Sequence, residues 1–256
     1  MKKFYLYNVQ AIHNNFGSHV TILPEIKNKT IAVISPHADD ISVGCGGAMA
    51  LLSKTNTIFP LLFFTGERGV DAPDKAVRIS TRENEMVCES KILGLQEPNF
   101  LRLSSYKDVS KKNISCNVTC IKQILRDIKP EIIFLPHEGD AQPRHSLATD
   151  MALCAIKRAR MCVELLFYET SWHPFGPLDF NVGVVLDAAC MAKKLDAIRV
   201  HASQIKRTRF DIAAESLARF RAVTVPEQHI QGYGYMMDHQ FDYLEVFLHK
   251  SVGSSL

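Results

Sequence analysis

Histidines and carboxylates occur together at two places in this sequence, and each place follows a short apolar run. His37, Asp39 and Asp40 stand in the sequence PHADD, and His145 ends the sequence DAQPRH. Two imidazoles and one carboxylate form a common ligand set for catalytic zinc, because three protein ligands leave a position for water. The pattern indicates a metal site made of His37, Asp40 and His145, beside which Asp39 can deprotonate the water.

The same residues have a second interpretation that involves no metal. Asp39 and Asp40 precede a predicted helix and would cap it by accepting hydrogen bonds from its first amides. His145 would then be a polar residue at the start of the next helix. Residue types and spacing leave both interpretations open.

Short apolar segments alternate with amphipathic segments along the chain. The pattern predicts strands at 30–35, 58–65, 131–136, 163–168, 182–186 and 242–249, and helices at 46–54, 78–93, 113–128, 146–160 and 188–202. This alternation is typical of βαβ units, so we predict an α/β fold with a mostly parallel sheet covered by helices on both faces. Ligands of such sheets bind beyond the carboxyl ends of the strands, where the histidines and carboxylates stand.

Composition narrows the class of protein and its partners. The chain has 256 residues, of which 46% are hydrophobic, and a formal net charge of +3. The apolar content excludes a disordered chain, and the small net charge argues against nucleic acid as a partner. No apolar run approaches the ~20 residues of a membrane span. We predict a single domain over residues 1–256, with a motif-bearing core at about 30–204 and a C-terminal extension at 205–256.

Cysteine usage and the N-terminus suggest a compartment. No continuous apolar segment follows the first lysines, so a signal peptide is not expected. The cysteines are odd in number and mostly lie in apolar patterns: Cys45, Cys88, Cys116, Cys120, Cys154, Cys162 and Cys190. Such cysteines are expected to be reduced, buried thiols. These features predict a cytoplasmic protein.

An ordered set of motifs resembles the LmbE-like (PIG-L) family of zinc-dependent N-deacetylases. The matching segments are PHADD followed by GCGG, TGERG, an Arg82 and Glu85 pair ahead of Leu93-Gly94, DAQPRH, and HASQ at 201–204. The resemblance runs from about residue 30 to residue 204. The order of the motifs is more specific than any one of them.

The resemblance implies a Rossmann-like three-layer sandwich with one zinc ion per chain at the carboxyl edge of its sheet. Carried onto this chain, it makes His37, Asp40 and His145 the zinc ligands and Asp39 the general base. Arg68 would face the substrate, at a hydroxyl or a phosphate. The implied enzyme is a metal-dependent amide hydrolase that removes the N-acetyl group of an N-acetylglucosamine-type amino sugar, or of its phosphate or conjugate.

Two positions depart from the family's pattern in a way that affects the chemistry. Gln142 stands where the family has a histidine, and Arg144 stands where it has the aspartate that orients that histidine. A glutamine amide can donate a hydrogen bond to an oxyanion but cannot transfer a proton. We therefore expect Gln142 to stabilise the oxyanion and Arg144 to face an anionic group of the substrate. His173 is a further candidate substrate contact, on a loop predicted to border the site.

Two other functions compete with the deacetylase. The chain could be a zinc-containing sugar-binding or regulatory homologue that lost turnover together with the His–Asp pair, or a zinc hydratase on the same scaffold. The presence of Asp39 favours an active enzyme, because binding alone requires no base. The expected partner is a small amino sugar, and the sequence leaves a homo-oligomer open.

Overall fold

The structure is a computed structural model that describes residues 6–7, 20–21, 26–104, 111–171, 173–176, 179–229 and 241–253. Its strands are β1 (Leu6–Tyr7), β2 (Val20–Thr21), β3 (Thr30–Ser35), β4 (Thr57–Leu62), β5 (Asn99–Phe100), β6 (Ile132–Pro136), β7 (Val163–Tyr168), β8 (Val182–Leu186) and β9 (Tyr243–Val252). Its α-helices are α1 (Asp40–Leu52), α2 (Lys75–Leu93), α3 (Lys111–Ile128), α4 (Pro143–Ala159), α5 (Ala188–Arg199), α6 (Ala202–Ile205) and α7 (Phe210–His229). None of the helices in these ranges is long and apolar enough to cross a membrane.

The main sheet has seven strands in the order β5, β4, β3, β6, β7, β9, β8. Strand β9 runs antiparallel to both of its neighbours, and the other adjacent strands pair in parallel. The predicted α/β fold with a mostly parallel sheet is confirmed. The antiparallel position of β9 was not predicted, because local periodicity does not report the direction in which a strand pairs.

Alternating side chains of the central strands build a core on each face of the sheet. In β3, Ile31 and Val33 pack with α1, α2 and α5, whereas Ala32 and Ile34 pack with α3 and α4. All four side chains are fully buried. A strand that is apolar on both faces needs helices on both sides, which explains the three layers.

Helix α1 begins at Asp40, six residues before the predicted start at residue 46, so that predicted boundary is wrong. Glycine disfavours helix, so the glycines in this segment obscured the true start. The structure needs them for close packing, because a Cβ at Gly44 would lie 2.4 Å from Tyr168 Cδ2 and one at Gly47 would lie 2.2 Å from Leu186 Cδ1. The helix that carries Asp40 therefore lies directly against β7 and β8.

A buried ion pair stabilises a kink in α1. The backbone of Cys45 leaves helical geometry at φ −137° and ψ 17°. Lys194 Nζ donates to the carbonyl of Val43 at 2.8 Å and to Glu245 Oε1 at 2.6 Å. The Glu245 carboxylate accepts from two consecutive amides beyond the kink, at 3.0 and 2.7 Å. These bonds offset the desolvation of both charges and join α1 to β9.

The segment after residue 204, predicted to be a C-terminal extension, forms part of the main fold. Helix α7 was not predicted, and β9 lies inside the main sheet between β7 and β8. Residues 230–240 lie outside the described part of the chain, so the single domain over 1–256 stays a prediction.

The cysteines are less buried than predicted. All are free, and Cys45 and Cys190 are buried. The expectation of burial is wrong for the exposed ones, which are Cys88, Cys116, Cys120 and Cys162. Cysteine in an amphipathic helix does not reveal which face it occupies.

Candidate metal centre and active-site cleft

Two neighbouring strands supply the candidate site from their carboxyl ends. Strands β3 and β6 pair in parallel with Ile31 opposite Ile132, so the loops after them open at the same edge of the sheet. His37 lies in the loop after β3, Asp40 begins α1, and His145 lies in the first turn of α4. The strand register brings His37 and His145 together although they are 108 positions apart.

The side chains of His37, Asp40 and His145, here called the triad, offer three ligand atoms at one point. His37 Nδ1 lies 3.2 Å from Asp40 Oδ2 and 3.2 Å from His145 Nε2. His145 Nε2 lies 3.3 Å from Asp40 Oδ2. A tetrahedral zinc ion with bonds of about 2.0–2.1 Å separates its ligand atoms by about 3.3–3.4 Å. The triad therefore has the dimensions of a zinc site.

Asp140, which was not among the predicted site residues, fixes the orientation of His145. Its Oδ2 lies 2.9 Å from His145 Nδ1 and accepts from Thr170 Oγ1 at 2.6 Å, and its Oδ1 accepts from the Gln142 amide at 2.8 Å. A carboxylate at one imidazole nitrogen directs the other nitrogen toward a metal. The sequence signal was an aspartate near a strand end, five positions before the histidine.

The triad is strongly coupled electrostatically. Burial raises the pKa of Asp40, but the imidazoles of His145 and His37 outweigh it and hold that pKa below its ordinary value. Burial lowers the pKa of His145, yet Asp40 and Asp140 together raise it to about 10. An imidazole binds a metal only as the neutral base, so an ion would displace this proton.

The contacts of the two aspartates do not match a capping role. Asp39 is the N-cap residue of α1, but its side chain makes no capping hydrogen bond. Asp39 Oδ1 instead accepts from Arg82 Nη2 at 2.5 Å. Asp40 Oδ2 accepts from the backbone amide of His37 at 2.7 Å, upstream of the helix. Both carboxylates therefore serve the site.

Arg82 connects Asp39 to a buried charge network on α2. Its side chain is 2% exposed, and its Nη1 donates to Glu85 Oε2 at 3.1 Å. Burial lowers the pKa of Arg82, but Asp39 and Glu85 outweigh it and raise that pKa, so the guanidinium stays charged. The hydrogen bonds of the described residues use only Oδ1 of Asp39, which leaves Oδ2 for a substrate or a water.

The network continues to the segment 201–204. Ser203 donates to Glu85 from its amide at 2.8 Å and from its hydroxyl at 2.7 Å. His201 Nε2 lies 2.5 Å from Glu89 Oε2, and Glu89 Oε1 accepts from the Ser42 amide at 2.9 Å. Burial lowers the pKa of His201, but Glu89 and Glu85 raise it to about 9. His201 is thus a buried hydrogen-bonding residue beneath the loop that carries Asp39.

A cleft of about 260 Å³ opens above the triad and Asp39. The predicted residues Arg68, Gln142 and Arg144 line it. Gln204 and Arg207 also line the cleft, and neither was among the predicted site residues. Gln204 ends the HASQ motif, which was the available signal for it, whereas no strand-end pattern could have found Arg207.

Two predicted site residues have particular local roles. Gln142 is the N-cap residue of α4, and its side-chain oxygen accepts from the amide of Arg144. Its amide nitrogen is therefore the end that remains available to the cleft. Arg68 belongs to a 3₁₀ turn that begins after Gly66, whose φ of 63° is a conformation that favours glycine.

His173 is placed differently from the other candidates. It is not among the described residues that line the cleft. Its ring stacks on His137 with centroids 4.7 Å apart and an interplanar angle of 9°. Both rings also lie near Phe175. Contact between His173 and a substrate stays a prediction.

The α/β sheet carries a candidate metal site, the triad, beside Asp39 at its carboxyl edge. Residues 32–156 match the family described as PIG-L: GlcNAc-PI de-N-acetylase. The match covers the segment that carries the triad and Asp39, and that segment is therefore similar to a PIG-L (LmbE-like) domain, a family described as a de-N-acetylase.

Similar proteins are known from sequence and from structure. A protein of Escherichia coli (strain K12) named uncharacterized deacetylase YaiS is 28% identical over 183 residues, covering 69% of this chain and 92% of its own. The N,N'-diacetylchitobiose deacetylase of Pyrococcus horikoshii has a TM-score of 0.67 at 19% identity, covering 87% of this chain and 84% of its own. GalB, the 4-carboxy-2-hydroxymuconate hydratase of Pseudomonas putida KT2440, has a TM-score of 0.69 at 19% identity, covering 88% and 96%. The two structural likenesses establish the fold.

Proposed function

We propose that this protein is a zinc-dependent N-deacetylase that acts on an N-acetylglucosamine-type amino sugar or a conjugate of it. The observation that carries the proposal is the triad, whose three ligand atoms lie 3.2–3.3 Å apart beside the Asp39 carboxylate at the base of an open cleft. Three ligand atoms spaced for one metal ion, next to a carboxylate that is not a ligand, suit the hydrolysis of an amide.

The triad would hold one zinc ion, which supplies a Lewis acid to the reacting amide. Asp39 accepts a proton from the water that attacks the acyl carbon. The amide nitrogen of Gln142 donates a hydrogen bond to the carbonyl oxygen as that oxygen gains charge. The carbon–nitrogen bond then breaks, Asp39 returns the proton to the departing nitrogen, and acetate and the free amine are the products.

Arg82 has a positioning role in this proposal. Its Nη2 holds Asp39 Oδ1 at 2.5 Å and its Nη1 is tied to Glu85, so the Asp39 carboxylate cannot rotate freely. A base that is fixed before the substrate arrives avoids the entropy loss of ordering it during the reaction. The free Oδ2 is the oxygen assigned to proton transfer.

Sequence relatives support the deacetylase over its alternatives. YaiS is called a deacetylase, and the family matched by residues 32–156 is described as a de-N-acetylase. The likeness to the GalB hydratase, at 19% identity, shows only a shared fold. Hydratase activity is therefore an alternative that the experiment below tests.

The test is acetate release from N-acetylglucosamine by the purified protein, with added zinc and with a chelator. We expect acetate and primary amine to form in equal amounts when zinc is present, and neither to form when the chelator has removed it. Binding of the sugar without acetate would support the sugar-binding homologue instead. Addition of water to an unsaturated carboxylate, with no acetate from any N-acetylated sugar, would support a hydratase.

A further inference from the structure

Cationic side chains outnumber anionic ones in the cleft. Its lining includes Asp39 and Asp40 as acids, against the four arginines Arg68, Arg82, Arg144 and Arg207. The excess is local, since the whole chain has a net charge of only +3. A bound divalent cation would increase it further.

Three of these guanidinium groups have no acidic partner among the residues that the structure describes. Arg82 is neutralised by Asp39, but Arg68, Arg144 and Arg207 form no ion pair with any described residue. The charge of Glu67 interacts with Arg144 through space, but the Glu67 carboxylate accepts its hydrogen bond from the Thr65 hydroxyl. Charges without partners around a cleft are available to a ligand.

Gln204 links Arg207 to the turn that carries Arg68. It is 6% exposed, and its Nε2 donates to the carbonyl of Gly69 at 3.0 Å, next to Arg68. Its Oε1 accepts from Arg207 Nη2 at 3.1 Å. A Cβ at Gly69 would lie 2.7 Å from Gln204 Nε2, so the turn fits closely against this amide. One Arg207 nitrogen is thus anchored, and the others remain free.

Arg144 faces the same cleft from another element. It is the second residue of α4, directly before the triad residue His145. Its backbone amide is held by the Gln142 side chain, which fixes where its half-buried side chain leaves the helix. The arginines of three separate segments therefore surround one opening.

We propose that the natural substrate carries a phosphate ester, which Arg144 and Arg207 bind together with Arg68. The inference rests on the deacetylase function proposed above and names its substrate class. A phosphate dianion offers three acceptor oxygens and matches more than one guanidinium, whereas a carboxylate is satisfied by a single bidentate arginine. These contacts hold the substrate away from the triad, so they determine specificity rather than bond cleavage.

The first experiment compares acetate release from four substrates by the zinc-loaded protein: N-acetylglucosamine, its 1-phosphate, its 6-phosphate and N-acetylmuramic acid, which bears a carboxylate. We expect kcat/KM for one phosphate to exceed that for the neutral sugar by about 10-fold or more, since charge-assisted bonds contribute over 1.4 kcal/mol. Equal values for neutral and phosphorylated sugars would overturn the proposal. A preference for the carboxylate over both phosphates would also overturn it.

The second experiment uses Arg144→Gln and Arg207→Gln, with Lys206→Gln as the matched control. Lys206 is an exposed cation next to Arg207 that does not line the cleft. Each arginine variant should lower the phosphate-to-neutral ratio of kcat/KM by about fivefold or more, and Arg207→Lys should restore part of it. The control should keep the wild-type ratio. An equal loss in the control and the arginine variants would contradict a specific phosphate contact.

A binding measurement separates this inference from the proposed function. Glucosamine 6-phosphate, glucosamine 1-phosphate and glucosamine are titrated by calorimetry into the metal-free protein. If phosphates bind more tightly and the preference needs Arg144 and Arg207, while no sugar yields acetate, the deacetylase is wrong and the phosphate site stands. If neutral sugars yield acetate but no phosphate preference appears, the phosphate site is wrong and the deacetylase stands.

Discussion

The base and the mouth of the cleft are built in opposite ways. At the base, the side chains of His37, Asp39, Asp40 and His145 are 15, 13, 13 and 1% exposed, and every one of them has a charged or imidazole partner. At the mouth, Arg68 and Arg207 are exposed and Arg144 is half-buried, and none forms an ion pair with a described residue.

This difference fits the proposed roles, in which the base of the cleft carries out hydrolysis and its mouth recognises the substrate. Groups that move a proton or hold a metal must keep their geometry to within about 0.5 Å, which requires burial and fixed hydrogen bonds. Groups that recognise a substrate gain from staying solvated until it arrives, because unpaired charges are inexpensive in water. Substitutions at the base should therefore abolish turnover, and substitutions at the mouth should shift preference.

The largest effect is expected from breaking the triad. Asp40→Ala and His145→Ala each remove one of three ligand atoms, so bound zinc should fall to less than a tenth of the wild-type content. Turnover should fall by more than ~10²-fold, since loss of even an outer partner of a ligand costs 10–100-fold. Elemental analysis checks the metal content, with Asp127→Ala on the exposed face of α3 as the control. Full occupancy in both variants would refute the ligand assignment.

The next largest effect is expected at Asp39, the proposed general base, which is not one of the metal ligands. Asp39→Asn keeps an oxygen for the Arg82 contact but removes the proton acceptor. We expect the metal to stay bound and kcat to fall by ~10²-fold or more, as for other general bases. Zinc content and acetate release are measured on the same sample. Loss of the metal would mean that Asp39 and Asp40 have exchanged roles.

A smaller loss should follow from removing the oxyanion donor. Gln142→Ser retains a side-chain oxygen at the N-cap of α4 but no longer reaches into the cleft, so it separates capping from catalysis. Loss of one such donor costs about 3 kcal/mol, or about 10²-fold in kcat, with little change in KM. An unchanged kcat would direct attention to His137 and His173.

The double variant Gln142→His with Arg144→Asp tests the proposed oxyanion donor and an arginine at the mouth of the cleft together. It recreates the histidine and its orienting carboxylate and removes one cation from the mouth. Activity on neutral sugars should rise relative to Gln142→His alone, because Arg144 beside the new imidazole disfavours its charged form. Initial rates of acetate release from N-acetylglucosamine decide the comparison.

The smallest effect is expected from the buried charge network of His201, Glu85 and Glu89, which lies beneath the loop that carries Asp39. The pKa of His201 is raised to about 9, so between its ordinary value of 6.5 and about 9 the folded state binds more protons than the unfolded state. The contribution of His201 to the free energy of unfolding should therefore fall as pH rises through this window, by on the order of 2–3 kcal/mol. In the metal-free protein His145 adds to this fall, because its pKa is raised to about 10. Urea unfolding at pH 6 and pH 9 should show this loss in wild type and a smaller one in His201→Gln. The matched control is His249→Gln, which alters a half-buried histidine beside Glu164 and outside this network.

The sequence by itself determined the layered fold and indicated the three residues of the triad. Strands such as β3 are apolar on both faces and alternate with helices, which admits few arrangements other than a parallel sheet between helical layers. His37 and Asp40 lie within five residues of the end of β3, and His145 lies nine residues after the end of β6. Local pattern therefore placed them at one edge, and the parallel pairing of β3 with β6 brought them together.

The tertiary structure decided the partners of these residues. Arg82 reaches Asp39 from the middle of α2, and Arg207 reaches the cleft from the segment after α6, where no strand end marks a site. Strand β9 enters the sheet antiparallel, and Glu245 on it supports α1 across 198 positions. Such contacts depend on how helices pack and which edges pair, and a short window of sequence carries no information about either.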